Sequence, residues 1–270
     1  GDHLDLHLSL SRQSQMCIRD RDYPGGAELT TEAIIKASKV PVIKMHSAQV
    51  SRETILQHKN KHWIFGNFAA LSTEAVLYCC KNLKYSVIEY DYKFCKYRLP
   101  QHPGHENGCN CETLPVGNLI YKFYSGAKSL NWMSEEQMNY YHFKFPKLKD
   151  TYNFILSSVF SKEDLKTIIE LKQTAQTVKK NTEMLLLGSN SWVKGFDQSR
   201  EYCEERDIST KVVWGLPYLD SLKMLASHRG IVYLPNGFDT CPRWVIEAKL
   251  LGCKIIDNHY VQHRNEAWFK

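Results

Sequence analysis

An acid placed eight residues ahead of a glutamate is the spacing in this chain that carries the most chemistry. Asp239 and Glu247 lie in the run Pro235-Asn236-Gly237-Phe238-Asp239-Thr240-Cys241-Pro242-Arg243-Trp244-Val245-Ile246-Glu247-Ala248. An apolar stretch ends at Leu234, and Pro242 pre-sets a first helical turn. Just over two turns of helix then separate the two acids. Asp239 and Thr240 meet a ligand at the helix mouth, and Glu247 reaches it from the helix side. Backbone N–H groups around 241–244 offer an anion site. A capping Asp and a surface Glu would give the same letters, so spacing alone leaves both readings open.

Gly188-Ser189-Asn190-Ser191-Trp192-Val193-Lys194-Gly195 follows an apolar run at 184–187. Lys194 in it is either a point charge suited to phosphate or an ordinary exposed lysine before a helix. Pro24-Gly25-Gly26 is a turn signal. Cys95, His105, Cys109 and Cys111 are the candidate metal ligands. Thiolates with an imidazole suit tetrahedral zinc, but Cys-x-Cys is not the usual two-residue spacing. The spacing favours a plain polar loop over a zinc staple, and any zinc would be structural.

Asp91, in Glu89-Tyr90-Asp91-Tyr92 at a strand end, is either a catalytic, acceptor-side carboxylate or a cap. His46 and Asn67 also end strands and are expected to be structural. Lys93, Lys96 and Arg98 are read as a solvated face rather than a nucleic-acid site. Trp132, Asn153 and the many tyrosines are read as core or rim.

These residues need elements to position them. Strands are expected at 40–43, 62–65, 85–90, 129–133, 184–187, 211–214, 230–234 and 253–257, with a β-rich run at 153–160. Helices are expected at 29–37, 51–59, from 72 through 80, and at 117–126, 134–145, 198–206, 219–226 and 243–251. Strands alternating with ten-residue helices imply parallel α/β units. Ligands of such sheets bind beyond the carboxyl ends of the strands. Two Rossmann-like domains are expected, at 22–160 and 183–270, joined by a helix and solvated linker over 161–182. The second is the shorter.

The 270 residues, 43% apolar, suffice for two small domains. A net charge of +6, spread along the chain, suits a small anion and does not suggest a nucleic-acid binder. Nine scattered cysteines and no secretory signal point to free thiols and a cytoplasmic setting. Residues 1–21 fit no such pattern. Leu4 to Leu10 alternate, but 13–21 have neither a strand nor a helix period. The run QMCIRDR resembles translated adapter sequence at the ends of metagenomic reading frames. The segment is therefore expected to be non-native or, alternatively, a disordered tail; if it is non-native, a true first strand has been lost and the chain is a fragment.

The proline, acid, seven residues and Glu-Ala resemble the E-x7-E signature of retaining GT-B glycosyltransferases of family four (group 1), with Asp239 at the first acid and Glu247 at the second. The loop ending in Lys194-Gly195 resembles that family's G-R-x4-K-G loop, with Ser189 where the family has Arg. Gly25-Gly26 is similar to its glycine-rich loop, and Gly215-Leu216-Pro217-Tyr218 to the loop beside the base. The resemblance implies a GT-B fold and a nucleoside-diphosphate sugar, UDP or GDP based, as donor. It implies Asp239 on the sugar and Glu247 on the ribose. The diphosphate would fall to Lys194, Gly195 and backbone donors, those at Gly25 and Gly26 included, or to a basic residue from elsewhere such as Arg243. No cofactor is required. The acceptor would be a glycan, lipid, protein or small molecule, reached at most by peripheral membrane contact. The alternative is a non-catalytic nucleotide-binding or interaction module of the same fold. A nicotinamide oxidoreductase is disfavoured, because no G-x-G-x-x-G follows a strand.

Overall fold

In a computed structural model, residues 14–17, 25–177 and 179–270 are described. The first half runs β1 (Ser14–Cys17), α1 (Gly26–Ala37), β2 (Val42–Met45), α2 (Arg52–Gln57), β3 (His62–Phe65), α3 (Thr73–Asn82) and β4 (Lys84–Glu89). It continues with α4 (Pro115–Ser125), β5 (Ser129–Trp132), α5 (Glu135–Lys144) and β6 (Tyr152–Ile155). Local chemistry sets these boundaries. The hydroxyls of Ser51, Ser72 and Ser134 accept N–H bonds at the starts of α2, α3 and α5. Pro115 opens α4, where its missing N–H costs nothing.

All six strands are parallel, in the order β2-β1-β3-β4-β5-β6. Such strands are covered on both faces and so read as near-continuous apolar runs. The generous aromatic content fills this core. Trp63, Phe65, Tyr85, Phe123, Trp132 and Tyr141 are all fully buried, and Tyr85 stacks on Phe123 at 4.8 Å.

The second half adds α6 (Lys162–Thr177), β7 (Asn181–Leu187), α7 (Phe196–Glu204), β8 (Thr210–Val213) and α8 (Tyr218–Ser227). It ends with β9 (His228–Tyr233), α9 (Arg243–Leu250) and β10 (Lys254–Asp257). Its four parallel strands are ordered β10-β9-β7-β8. In each sheet the chain steps outward one way and then returns to build the other way. The order therefore reverses at β1/β3 and at β7/β9, and the carboxyl ends of those pairs form the crevices where such sheets take ligands. The two-sheet α/β architecture and the shorter second sheet agree with the reading of the sequence. Among the described residues no helix is long and apolar enough to cross a membrane.

Two expectations are corrected. The segment before residue 22 contributes a strand, because Ser14–Cys17 pairs with both β2 and β3 inside the first sheet. A central parallel strand is held by ladders on both edges and needs no alternating pattern, which is why period arguments miss it. The alternating leucines at 4–10 lie outside the described residues. The second concerns Lys93, whose ammonium is buried against Glu89 at 2.9 Å rather than exposed. In the joining segment, Ser161 and Asp164 cap α6 reciprocally, and the helix buries Ile168 in the second core.

Candidate functional site

The crevice at β7/β9 is built by two loops pressed together. After β7 the chain passes through Ser189 to a tight turn at Trp192–Lys194 and then Gly195, whose φ is +62°. A Cβ on Gly195 would sit 1.8 Å from the Leu234 carbonyl oxygen at the end of β9. Only glycine allows that approach and that backbone. Asn236 fastens the loops, its N–H to the Val193 carbonyl at 3.1 Å and its amide to that of Trp192 at 2.9 Å.

This contact brings Lys194 Nζ to 2.7 Å from Asp239 Oδ2. The Tyr233 hydroxyl donates to the same carboxylate oxygen. The Asp239 backbone is clamped by the C-terminal segment, with its N–H on the Tyr260 carbonyl and its carbonyl accepting from Gln262. Asp239 is buried, whereas the Lys194 side chain is 31% exposed and open to a ligand.

Across from this pair stands the end of β4. A cavity of about 420 Å³ is lined by Tyr90, Asp91, Arg98 and His102 on one side and by Trp192, Lys194 and Asp239 on the other. Asp91 pairs with Lys93 at 3.2 Å and with Arg98. Burial pushes the Asp91 carboxyl up, but the two cations outweigh it and hold it below its ordinary value. Asn67 accepts a bond from Arg98, so it braces this cation. Beneath lies Glu89, whose carboxyl burial pushes up against the pull of Lys93. The Thr240 hydroxyl donates to the Tyr90 carbonyl at 2.8 Å and ties the two sides together.

Glu247 and Arg243 form a separate buried cluster that does not line the cavity. The Arg243 guanidinium serves Glu247 at 2.9 Å, Asp164 at 3.0 Å, the Val159 carbonyl at 2.7 Å and the Tyr218 hydroxyl at 3.1 Å. Burial pushes the Glu247 carboxyl up to about 7 against the pull of Arg243. Gly25 caps α1, and a Cβ on Gly26 would lie 3.5 Å from that of Arg243. The starts of α1 and α9 therefore meet here.

Of the sequence-derived candidates, Asp91, Lys194, Asp239 and Thr240 share the cavity. Gly26, Arg243 and Glu247 adjoin one another, with Gly25 one residue away. The Ser189 hydroxyl accepts from Ser191 within its own loop. His46 caps a short turn, as expected. Cys95, His105, Cys109 and Cys111 come together in the loop that carries Arg98. The sequence reading placed Arg98 on a solvated face and missed Tyr233 and the clamp at 260–262. A counterion for Asp91 was the one available signal, since a half-buried carboxylate is stabilised by a nearby cation.

The sequence matches no protein-family model and is not significantly similar to any curated protein. Solved structures match along most of the chain. Anabaena Alr3699/HepE in complex with UDP and glucose is 12% identical at a TM-score of 0.55, covering 90% of this chain and 80% of that one. The same protein with UDP-glucose gives 0.54, at 12% identity over 91% and 80%. A UDP-forming α,α-trehalose-phosphate synthase from Burkholderia xenovorans is 6% identical at 0.53, over 95% and 86%. With its two parallel, helix-flanked sheets and these likenesses, the chain has a GT-B-like fold.

Proposed function

We propose that the protein is a glycosyltransferase that moves a sugar from a nucleoside-diphosphate donor to an acceptor with retention of configuration. The observation that carries this reading is the Lys194–Asp239 pair at the point where the second sheet reverses its order, facing Asp91 across a cavity. The proteins of similar fold are described with UDP or as UDP-forming, which makes UDP the first donor base to try.

Residues 183–270 bind the donor in this reading and residues 22–160 face the acceptor. A donor diphosphate takes Lys194 away from Asp239. The ammonium then stabilises charge growing on the departing phosphate, helped by the backbone N–H groups opening α9. Asp239, released, orients the sugar hydroxyls. Asp91, kept ionised by Arg98 and Lys93, accepts a bond from the incoming acceptor. The departing phosphate takes the acceptor's proton, so no separate base is needed. Glu247 receives the ribose once Arg243 or Tyr218 yields, with the base beside 215–218.

A second reading is favoured by one observation. Asp239 and Glu247 are each neutralised by a cation of the chain itself, and Ser189 stands at the position of an expected Arg. That arrangement suits a module that binds nucleotide without turnover.

Calorimetric titration with UDP, GDP, ADP and CMP tests both. One nucleoside diphosphate should bind, and Lys194→Ala should weaken it at least tenfold, about 1.4 kcal/mol. Failure of all four to bind a folded sample would sink the binding reading altogether. Binding without sugar transfer or donor hydrolysis above the Glu247→Ala background would favour the second.

A further inference from the structure

The four potential ligand atoms of Cys95, His105, Cys109 and Cys111 all lie within 4.8 Å of one another. Cys95 Sγ and His105 Nε2 are 3.1 Å apart. A tetrahedron with Zn–S near 2.3 Å and Zn–N near 2.0 Å has edges of roughly 3.4–3.8 Å, so small side-chain movements would close this one. Cys95 and Cys111 are buried, and Cys109 and His105 close the group from the solvent side.

The surrounding chain explains why these four meet despite a spacing that argued against it. From Tyr92 to Asn110 there is neither strand nor helix, and Cys111 opens a single short turn of 3-10 helix over Cys111–Thr113. The backbone makes successive tight turns, including Arg98 on Cys95, His105 on His102 and Gly108 on His105. Gly108 takes a left-handed φ of +79° just before Cys109, which swings the last two cysteines back toward Cys95. Lys144 holds the Cys109 carbonyl at 3.0 Å, and the Tyr97 ring packs edge-on against His105. At the far end, Gly117 lets α4 press on the Cys111 backbone, where a Cβ would sit 2.2 Å from its carbonyl oxygen. Irregular segments of this length inside a compact domain need something beyond backbone ladders to fix them.

We propose that Cys95, His105, Cys109 and Cys111 form a structural zinc site that staples the 92–111 loop and thereby fixes the cavity wall bearing Arg98 and His102. Three thiols surrender their protons to solvent as zinc binds, and the imidazole coordinates through Nε2. No open position remains for a water, so the metal takes no part in a reaction. The site stands or falls independently of what the cavity binds.

The test is zinc content and coordination of the full chain, expressed with added zinc and freed of any polyhistidine tag. Elemental analysis should give about one zinc per chain. X-ray absorption on the unaltered protein should show three sulfur ligands and one nitrogen. Cys95→Ser and the double change Cys109→Ser with Cys111→Ser should each weaken zinc, in competition with a chromophoric chelator, by at least tenfold. A folded wild-type sample that neither contains nor takes up zinc would overturn the proposal. So would zinc bound through oxygen ligands, retention unchanged in the double variant, or a disulfide among the three cysteines found by mass spectrometry of the protein as isolated. Because the absorption measurement needs no variant, misfolding of the substituted chains leaves the test intact.

Discussion

Asp239 and Lys194 satisfy each other, and this has a consequence opposite to simple loss of a binding residue. In the proposed reading, a diphosphate must compete with the Asp239 carboxylate for the Lys194 ammonium. Asp239→Asn removes that competitor and leaves a polar side chain of the same size. Nucleoside diphosphate affinity should stay equal or rise a few-fold, while sugar transfer falls by about a hundredfold, the scale of one lost transition-state contact. Titration and initial rates on the same sample check this. A parallel loss of both affinity and rate would mean that Asp239 acts by positioning Lys194 for the diphosphate instead of by holding the sugar. The pair was half legible in the sequence. The two motifs named Lys194 and Asp239 separately, but no local pattern says that residues 45 positions apart share a hydrogen bond.

At the scale of elements, the site depends on how closely the loop after β7 approaches the end of β9. Gly195 permits that contact through a left-handed backbone and the missing Cβ. Gly195→Ala should strain the backbone by about 1–3 kcal/mol and push Lys194 out of reach of the cavity. Urea denaturation and nucleotide titration read the two effects together, and an unperturbed affinity would show that Lys194 does not hold the diphosphate. Strands such as Met184 to Leu187 and the serine-capped helices were legible because their signals are local: apolar runs, hydroxyl caps and an N1 proline. β1 was not. Its place rests on ladders to β2 and β3, which begin 28 and 48 residues further along. Lys93 and Arg98 were misread for a related reason. A charged run looks solvated until the fold supplies Glu89 and Asp91 as partners.

For the molecule as a whole, the C-terminal segment joins the two halves. Gln262 accepts from Tyr92 at 2.8 Å, and Glu266 accepts from the start of α5 at 2.7 Å. Between them His263 is fully buried against Trp268 and Phe269, with neither ring nitrogen hydrogen-bonded among the described residues. Burial pulls its pKa down to about 4 from an ordinary 6.5, with Asp239 opposing. Between those values the unfolded chain holds a proton that the folded chain refuses, so stability falls as pH drops from 6.5 toward 4. The loss amounts to at most about 3 kcal/mol. Comparison with His263→Phe cancels the contributions of other groups. The stability of the wild type relative to the variant should decline across this window, as read by urea denaturation at pH 7 and pH 4.5. A constant difference would mean that the ring already titrates normally. The same long-range logic divides what sequence and structure each decided. By itself the sequence determined the α/β alternation, most element boundaries, the candidate acids at 239 and 247 and the cation at 194, because propensity, capping and apolar runs act over a few residues. Only the tertiary structure decided that Asp91 keeps two cations, that Glu247 and Arg243 are buried in each other, and that four scattered thiol and imidazole groups converge. Those outcomes depend on burial and on contacts between distant segments, which set the cost of a charge and the partner that offsets it.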